Sequence, residues 1–187
     1  MNISTDDIIK FFPIKKPYCF IDEILSVDET RIVGSYRFSQ DEFFYAGHFP
    51  GFSVTPGAIL SEAAAQVGLL AFGMYLLGNG LVRLSEIPED LLPSGMKSLP
   101  KMSDILSWNE GEIPSGLPRD ALENLFFLSS SDMTYKRFVE PGEKIIIQAE
   151  KVFFKFNKLK CDVQVLTEQD EVICKGMISG IVVKNRI

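Results

Sequence analysis

One histidine serves all 187 residues, and the three cysteines, Cys19, Cys161 and Cys174, stand far apart. A zinc site gathers three or four His, Cys or carboxylate ligands, so these counts argue against a metal centre. An odd number of dispersed cysteines without a CxxC pair argues equally against a disulfide framework. The opening from Met1 to Lys10 is polar and lacks the apolar stretch of a signal peptide. A reducing cytoplasm is therefore expected, with each cysteine a small buried apolar side chain. Positive charge is also scarce. Nineteen Lys and Arg face 25 Asp and Glu, giving a net charge of -6, which disfavours nucleic acid as a main partner. There is no GxSxG nucleophile elbow. The one GxG, Gly78-Asn79-Gly80, follows a helical pattern rather than a strand and so does not read as a dinucleotide loop. No internal repeat or low-complexity tract is present.

What the chain does have is apolar mass: 46% hydrophobic residues, with 15 phenylalanines. That suits one domain over residues 1–187 with a substantial core. The longest apolar run, Val54 to Leu77, is long enough for a membrane span. It contains Glu62 and Gln66, lacks basic flanks and is rich in Gly and Ala, so we read it as a helix buried against a sheet, with no membrane contact. Thr55 is its expected N-cap, Pro56 its first residue, and Gly78-Asn79-Gly80 its stop.

Around it, Thr5 to Phe12 reads as a short helix capped by Thr5 and ended by Pro13. Tyr18–Val27 and Arg31–Ser39 read as a hairpin turning at Asp28-Glu29-Thr30. Leu125–Phe138, Lys144–Phe156, Leu159–Leu166 and Glu171–Val183 read as further strands joined by short turns, hence antiparallel. Residues 80–124 differ: prolines and glycines punctuate short apolar pieces, and the only tryptophan, Trp108, lies there. We read this stretch as an insertion. Two strands, a long helix and about four more strands make an α+β class.

The segment His48-Phe49-Pro50-Gly51-Phe52-Ser53-Val54-Thr55-Pro56-Gly57 carries the sole histidine, and Glu62 follows on the apolar helix. Histidine exchanges protons most readily near neutral pH. A carboxyl on an apolar helix is costly unless neutral or paired, so burial is expected to raise its pKa. His48 and Glu62 together read as an acid–base site. Gln66, one turn beyond Glu62, is placed to orient it or to tie the helix to the sheet.

These residues, with Pro17-Tyr18-Cys19-Phe20-Ile21-Asp22-Glu23-Ile24, Lys136-Arg137 and Pro141-Gly142, resemble the (3R)-hydroxyacyl-acyl-carrier-protein dehydratases of fatty-acid synthesis. The resemblance covers nearly the whole chain outside 80–124. It departs at Ser53 and Phe138, where the family usually has proline, and at Ile14-Lys15, where it often has a His-Arg pair. The resemblance implies a hotdog fold, a curved antiparallel sheet around a central helix. It implies dehydration of 3-hydroxyacyl thioesters, with His48 as base, Glu62 as acid, directly or through water, and the Gly57 N–H as an oxyanion donor; an alternative in which His48 carries both proton transfers stays open. It also implies that no cofactor is needed, because the substrate arrives on the phosphopantetheine arm of acyl carrier protein. Lys15, Lys16, Lys136 and Arg137 are then docking candidates, and Lys151, Lys155, Lys158 and Lys160 form a second basic set. Family dimers build each site from the histidine of one subunit and the glutamate of the other, and trimers of dimers also occur. Two other readings stay open: a hydratase or thioesterase on the same fold, and a non-catalytic subunit supporting an active partner in a polyketide or aryl-polyene pathway. Related dehydratase-isomerases carry aspartate where this chain has Glu62.

Overall fold

A computed structural model describes residues 3–85 and 124–184. Residues 86–123, which hold Trp108 and most of the expected insertion, lie outside the described residues. The chain opens with α1 (Thr5–Lys10), capped by Ser4 rather than Thr5. Ser4 and Asp7 form a reciprocal capping box, with the Asp7 side chain accepting from the Ser4 N–H at 3.0 Å. Strands β1 (Glu23–Val27) and β2 (Arg31–Arg37) follow. The Asp28 carboxylate ties their turn by accepting from the Thr30 and Arg31 N–H groups. The first strand is shorter than its apolar pattern suggests. Residues 18–22 are not in a ladder, because Phe20 gives its N–H to the Gln66 side chain at 2.7 Å.

The central helix α2 spans Gly57–Gly78. It starts two residues later than Thr55 because the Thr55 hydroxyl pairs with the Tyr45 hydroxyl at 2.8 Å, and Pro56 takes the capping position without a side-chain bond. By length and composition α2 could cross a membrane, but most of it is buried. Strands β3 (Asn124–Tyr135), β4 (Lys144–Lys155), β5 (Lys158–Thr167) and β6 (Val172–Lys184) complete an antiparallel sheet ordered β1-β2-β4-β5-β6-β3. The β4–β5 turn is made by Phe156 and Asn157, both at positive φ, one residue earlier than expected.

Period-two burial selects the face that meets the helix. Ile145, Ile147 and Ala149 of β4, and Leu159, Cys161, Val163 and Val165 of β5, are fully buried. Each large aliphatic among them contributes roughly 1.5–3 kcal/mol of transfer free energy. Register shifts in the β1–β2, β3–β6, β4–β5 and β5–β6 pairings let the sheet curve around α2. Gly68 sets how close the helix comes, since a Cβ there would stand 2.9 Å from the Ala149 Cβ. At this level the helix widens into a π turn over Gln66–Ala71, and the Cys161 thiol donates to the Gly68 carbonyl at 3.2 Å. Cys161 and Cys174 are buried and free, and burial pushes both thiols up to about 12.

Candidate active site

The loop before α2 is shaped by its own backbone. Pro50 and Gly51 form the corner of a turn closed by reciprocal 3.0 Å bonds between Phe49 and Phe52. Gly51 takes φ of 82°, which a side chain would disfavour. The His48 N–H donates to the Phe44 carbonyl, and the His48 carbonyl accepts from Val54, each at 3.0 Å. The His48 ring stacks on Phe49 with centroids 4.2 Å apart. Its Nδ1 lies 3.0 Å from the Val54 carbonyl oxygen. A carbonyl can only accept, so Nδ1 carries the proton in the neutral ring, and the lone pair belongs to Nε2.

His48 lines a cavity of about 380 Å³, together with Val54, Thr55, Gly57, Leu60, Tyr135, Lys136, Arg137 and Phe138. Two separate stretches therefore build it: the loop into the first turn of α2, and the end of β3 with the residues after it. The Thr55 N–H donates to the Val139 carbonyl at 2.8 Å and holds the two together. Phe138, one of the departures from the family pattern, meets Phe52 edge-on at 6.1 Å. Ser53, the other, donates to the Tyr45 carbonyl at 3.4 Å.

Gly57 lies in this cavity, but the space left by its missing side chain is filled. A Cβ there would be 3.1 Å from Cε1 of the Tyr135 ring. Glu62 does not line the cavity of its own chain. It is half-buried rather than enclosed, and its Oε1 accepts from the Gln66 amide at 2.9 Å. Gln66 is 1% exposed and fully engaged, since its Oε1 also takes the Phe20 N–H and its Nε2 donates to the Tyr18 carbonyl at 2.8 Å. Gln66 thus contacts Glu62, as expected, while its second tie runs to the segment before β1 rather than to the sheet. Burial, with the Glu62 charge adding to it, holds the Tyr18 hydroxyl above its ordinary pKa.

The basic candidates separate. Arg137 is committed internally, to Glu143 at 2.6 Å and Glu171 at 3.8 Å, which makes it a structural charge rather than an available one. The hydrogen bond to Glu143 holds its guanidinium above the usual value. Lys16 is exposed, but its ammonium donates to the buried Tyr36 hydroxyl at 3.0 Å. Lys15 and Lys136 are exposed, and neither pairs with a carboxylate among the described residues. Of the second set, Lys151 is half-buried and Lys155 is exposed. Sequence reasoning missed Tyr135 and Ser61. The only hint of Tyr135 was its place directly before Lys136-Arg137. Among the described residues no cluster of His, Cys and carboxylates could hold a metal ion.

Residues 13–89 match the model of the FabA-like domain. Over 70 residues, 37% of this chain, the sequence is 41% identical to a 3-hydroxyacyl-(acyl-carrier-protein) dehydratase FabZ of Bacillus thuringiensis. It matches the FabZ of Bacillus mycoides to the same extent. The chain spans about half the length of these curated relatives, 49% in each case. Among solved structures, the dehydratase heterocomplex ApeI:P from Xenorhabdus doucetiae matches with a TM-score of 0.60 at 11% identity, over 95% of this chain and 91% of that one. A thioesterase from Haemophilus influenzae matches with 0.57 at 12% identity, over 100% and 95%. At such identities the likeness is one of fold, and the fold is the hotdog, α+β. Residues 13–89, which hold His48, Gly57, Glu62 and Gln66, are thus the part of the chain that is similar to the FabA-like domain and, over 70 residues, to the FabZ dehydratases.

Proposed function

We propose that this chain dehydrates (3R)-hydroxyacyl thioesters carried on acyl carrier protein to trans-2-enoyl thioesters, in fatty-acid or related polyketide or polyene synthesis. One observation carries the reading. The sole histidine is held through Nδ1 by a backbone carbonyl, so Nε2 is the basic nitrogen, beside the start of α2 in a cavity of about 380 Å³. In this reading Nε2 takes the α-proton. The Gly57 N–H, at the positive end of the helix, steadies the enolate oxygen that develops on the thioester. Glu62, as the acid, delivers a proton to the departing 3-hydroxyl, the C–O bond breaks, and water leaves.

Glu62 lies outside the His48 cavity of its own chain, which supports a dimer in which Glu62 of the partner subunit completes each site. Lys136, on the cavity rim and without an ion pair among the described residues, is the best placed cation for an acidic carrier. The setting is the cytoplasm, and no cofactor enters the steps.

Purified protein incubated with 3-hydroxyacyl carrier substrates of several lengths separates the readings by product mass. Loss of water supports the proposal. Release of a free acid would indicate a thioesterase. No change with any substrate would leave the non-catalytic subunit as the reading to pursue.

A further inference from the structure

Tyr135 ends the edge strand β3, and its side chain makes two contacts that the scheme above does not use. Its ring lies on Gly57, with Cε1 and Cζ 3.1 and 3.2 Å from where a Cβ would stand. Its hydroxyl is 2.6 Å from the Ser61 hydroxyl, one turn further along α2. The backbone of Tyr135 is fixed by pairing with Cys174, and the next N–H, that of Lys136, donates to the Ile173 carbonyl at 2.7 Å. Only the side chain can move. Tyr135 is 45% exposed and Ser61 half-buried, so opening their bond returns both hydroxyls to water and strands no buried polar group.

We infer that Tyr135, latched by Ser61, is a specificity-determining residue that sets the bulk tolerated at the α-carbon of the acyl thioester. The inference rests on the proposed function, which seats the thioester oxygen at the Gly57 N–H. An oxygen about 2.9 Å from that nitrogen brings the carbonyl carbon and α-carbon to within a few ångströms of the amide. The Tyr135 ring occupies that same neighbourhood. An unbranched α-carbon fits beside the latched ring, whereas an α-methyl group competes with it. To admit the branched chain, the ring must swing toward solvent and give up the Ser61 bond. The site therefore selects acyl groups with a plain CH2 next to the thioester. The hydroxyl pair controls how strictly it does so, because the ring's contact with Gly57 is only as persistent as the bond that holds it.

The test uses the full-length protein and two unreactive probes, butyryl- and 2-methylbutyryl-pantetheine analogues in which CH2 replaces the thioester sulfur. Calorimetry measures their affinities for the wild type, Tyr135→Phe, Ser61→Ala and the double variant. The wild type is expected to prefer the unbranched probe. Each single variant should reduce that preference about three- to tenfold, the range of one ordinary hydrogen bond. The double variant should reduce it no further, since both changes open the same latch. An unchanged preference in folded variants would overturn the inference. So would additive losses, or equal weakening of both probes. Because binding is read without turnover, a chain that binds and discriminates but does not dehydrate would refute the proposed function and leave the latch standing.

Discussion

His48 is fixed at its backbone N–H, its carbonyl and its Nδ1, so the ring has one orientation and one available nitrogen. If Nε2 is the base, His48→Ala should cost at least about two orders of magnitude in turnover on a carrier-linked substrate, and Glu62→Gln a similar amount. Circular dichroism should show both variants folded. Near-normal rates from either would remove its assigned role. Gln66 has a different signature. Gln66→Leu leaves the Phe20 N–H and the Tyr18 carbonyl without partners beside a buried side chain, which should cost about 1–3 kcal/mol in a denaturant titration. An unchanged midpoint would mean that solvent replaces those bonds. His48 and Glu62 stood out in the sequence as candidates because a lone imidazole and a lone carboxyl beside an apolar run need a reason to be there; the structure puts His48, but not Glu62, on the cavity wall. A tying role for Gln66 was also legible, but its partner was not, since Phe20 is 46 residues away. The tie between Tyr135 and Ser61 spans 74 residues and was hidden for the same reason. Thr55 misled because its hydroxyl suits a cap, and only the fold reveals that Tyr45 claims it.

At the scale of elements, the meeting of α2 and the sheet decides most of the architecture. Gly68 faces Ala149, Ile178 and Val163, the nearest atoms lying 2.9, 3.2 and 3.3 Å from a virtual Cβ. Helix propensity alone would make Gly68→Ala stabilising by about 1 kcal/mol. Overpacking a rigid wall costs about 1–3 kcal/mol, so the sum should be neutral to destabilising. A clear rise in melting temperature would show that the helix stands further off than the structure places it. The helix and the strand hairpins were readable because periodicity and turn residues are local. The position of β3 was not. It follows α2 in the chain yet sits at the far edge beside β6, while β2 pairs with β4. Turn chemistry fixes neighbours across short loops and says nothing about partners across long connections. The start of β1 was overestimated because Phe20 and Ile21 are apolar for the core, where Phe20 meets Tyr36, Phe38 and Phe44, and not for a ladder.

For the whole molecule, the separation of Glu62 from the His48 cavity makes a quantitative expectation possible. If each site takes His48 from one subunit and Glu62 from the other, His48→Ala and Glu62→Gln proteins are each inactive alone. Unfolded together in equal amounts and refolded, half the dimers are mixed, and each mixed dimer has one intact site. About one quarter of wild-type activity should return. Recovery near zero would place both groups in one chain's site, or show that the assembly is not a dimer of this kind.

The sheet has two ends, and the β3 end consists of a strand from Asn124 to Tyr135 that pairs, among the described residues, with β6 alone. Leu128 on this strand is exposed among the described residues. Where such a strand end is open, a newly synthesised copy carries a template onto which an extended peptide can add, and the outcome depends on which strand arrives first. Dilute, chaperoned synthesis would favour an orderly two-fold encounter, and crowded overexpression would favour cross-β deposits. If the proposed dimer pairs along this margin, changes designed to separate its subunits should yield precipitate rather than a tractable monomer, unless they also place a charge or a proline there.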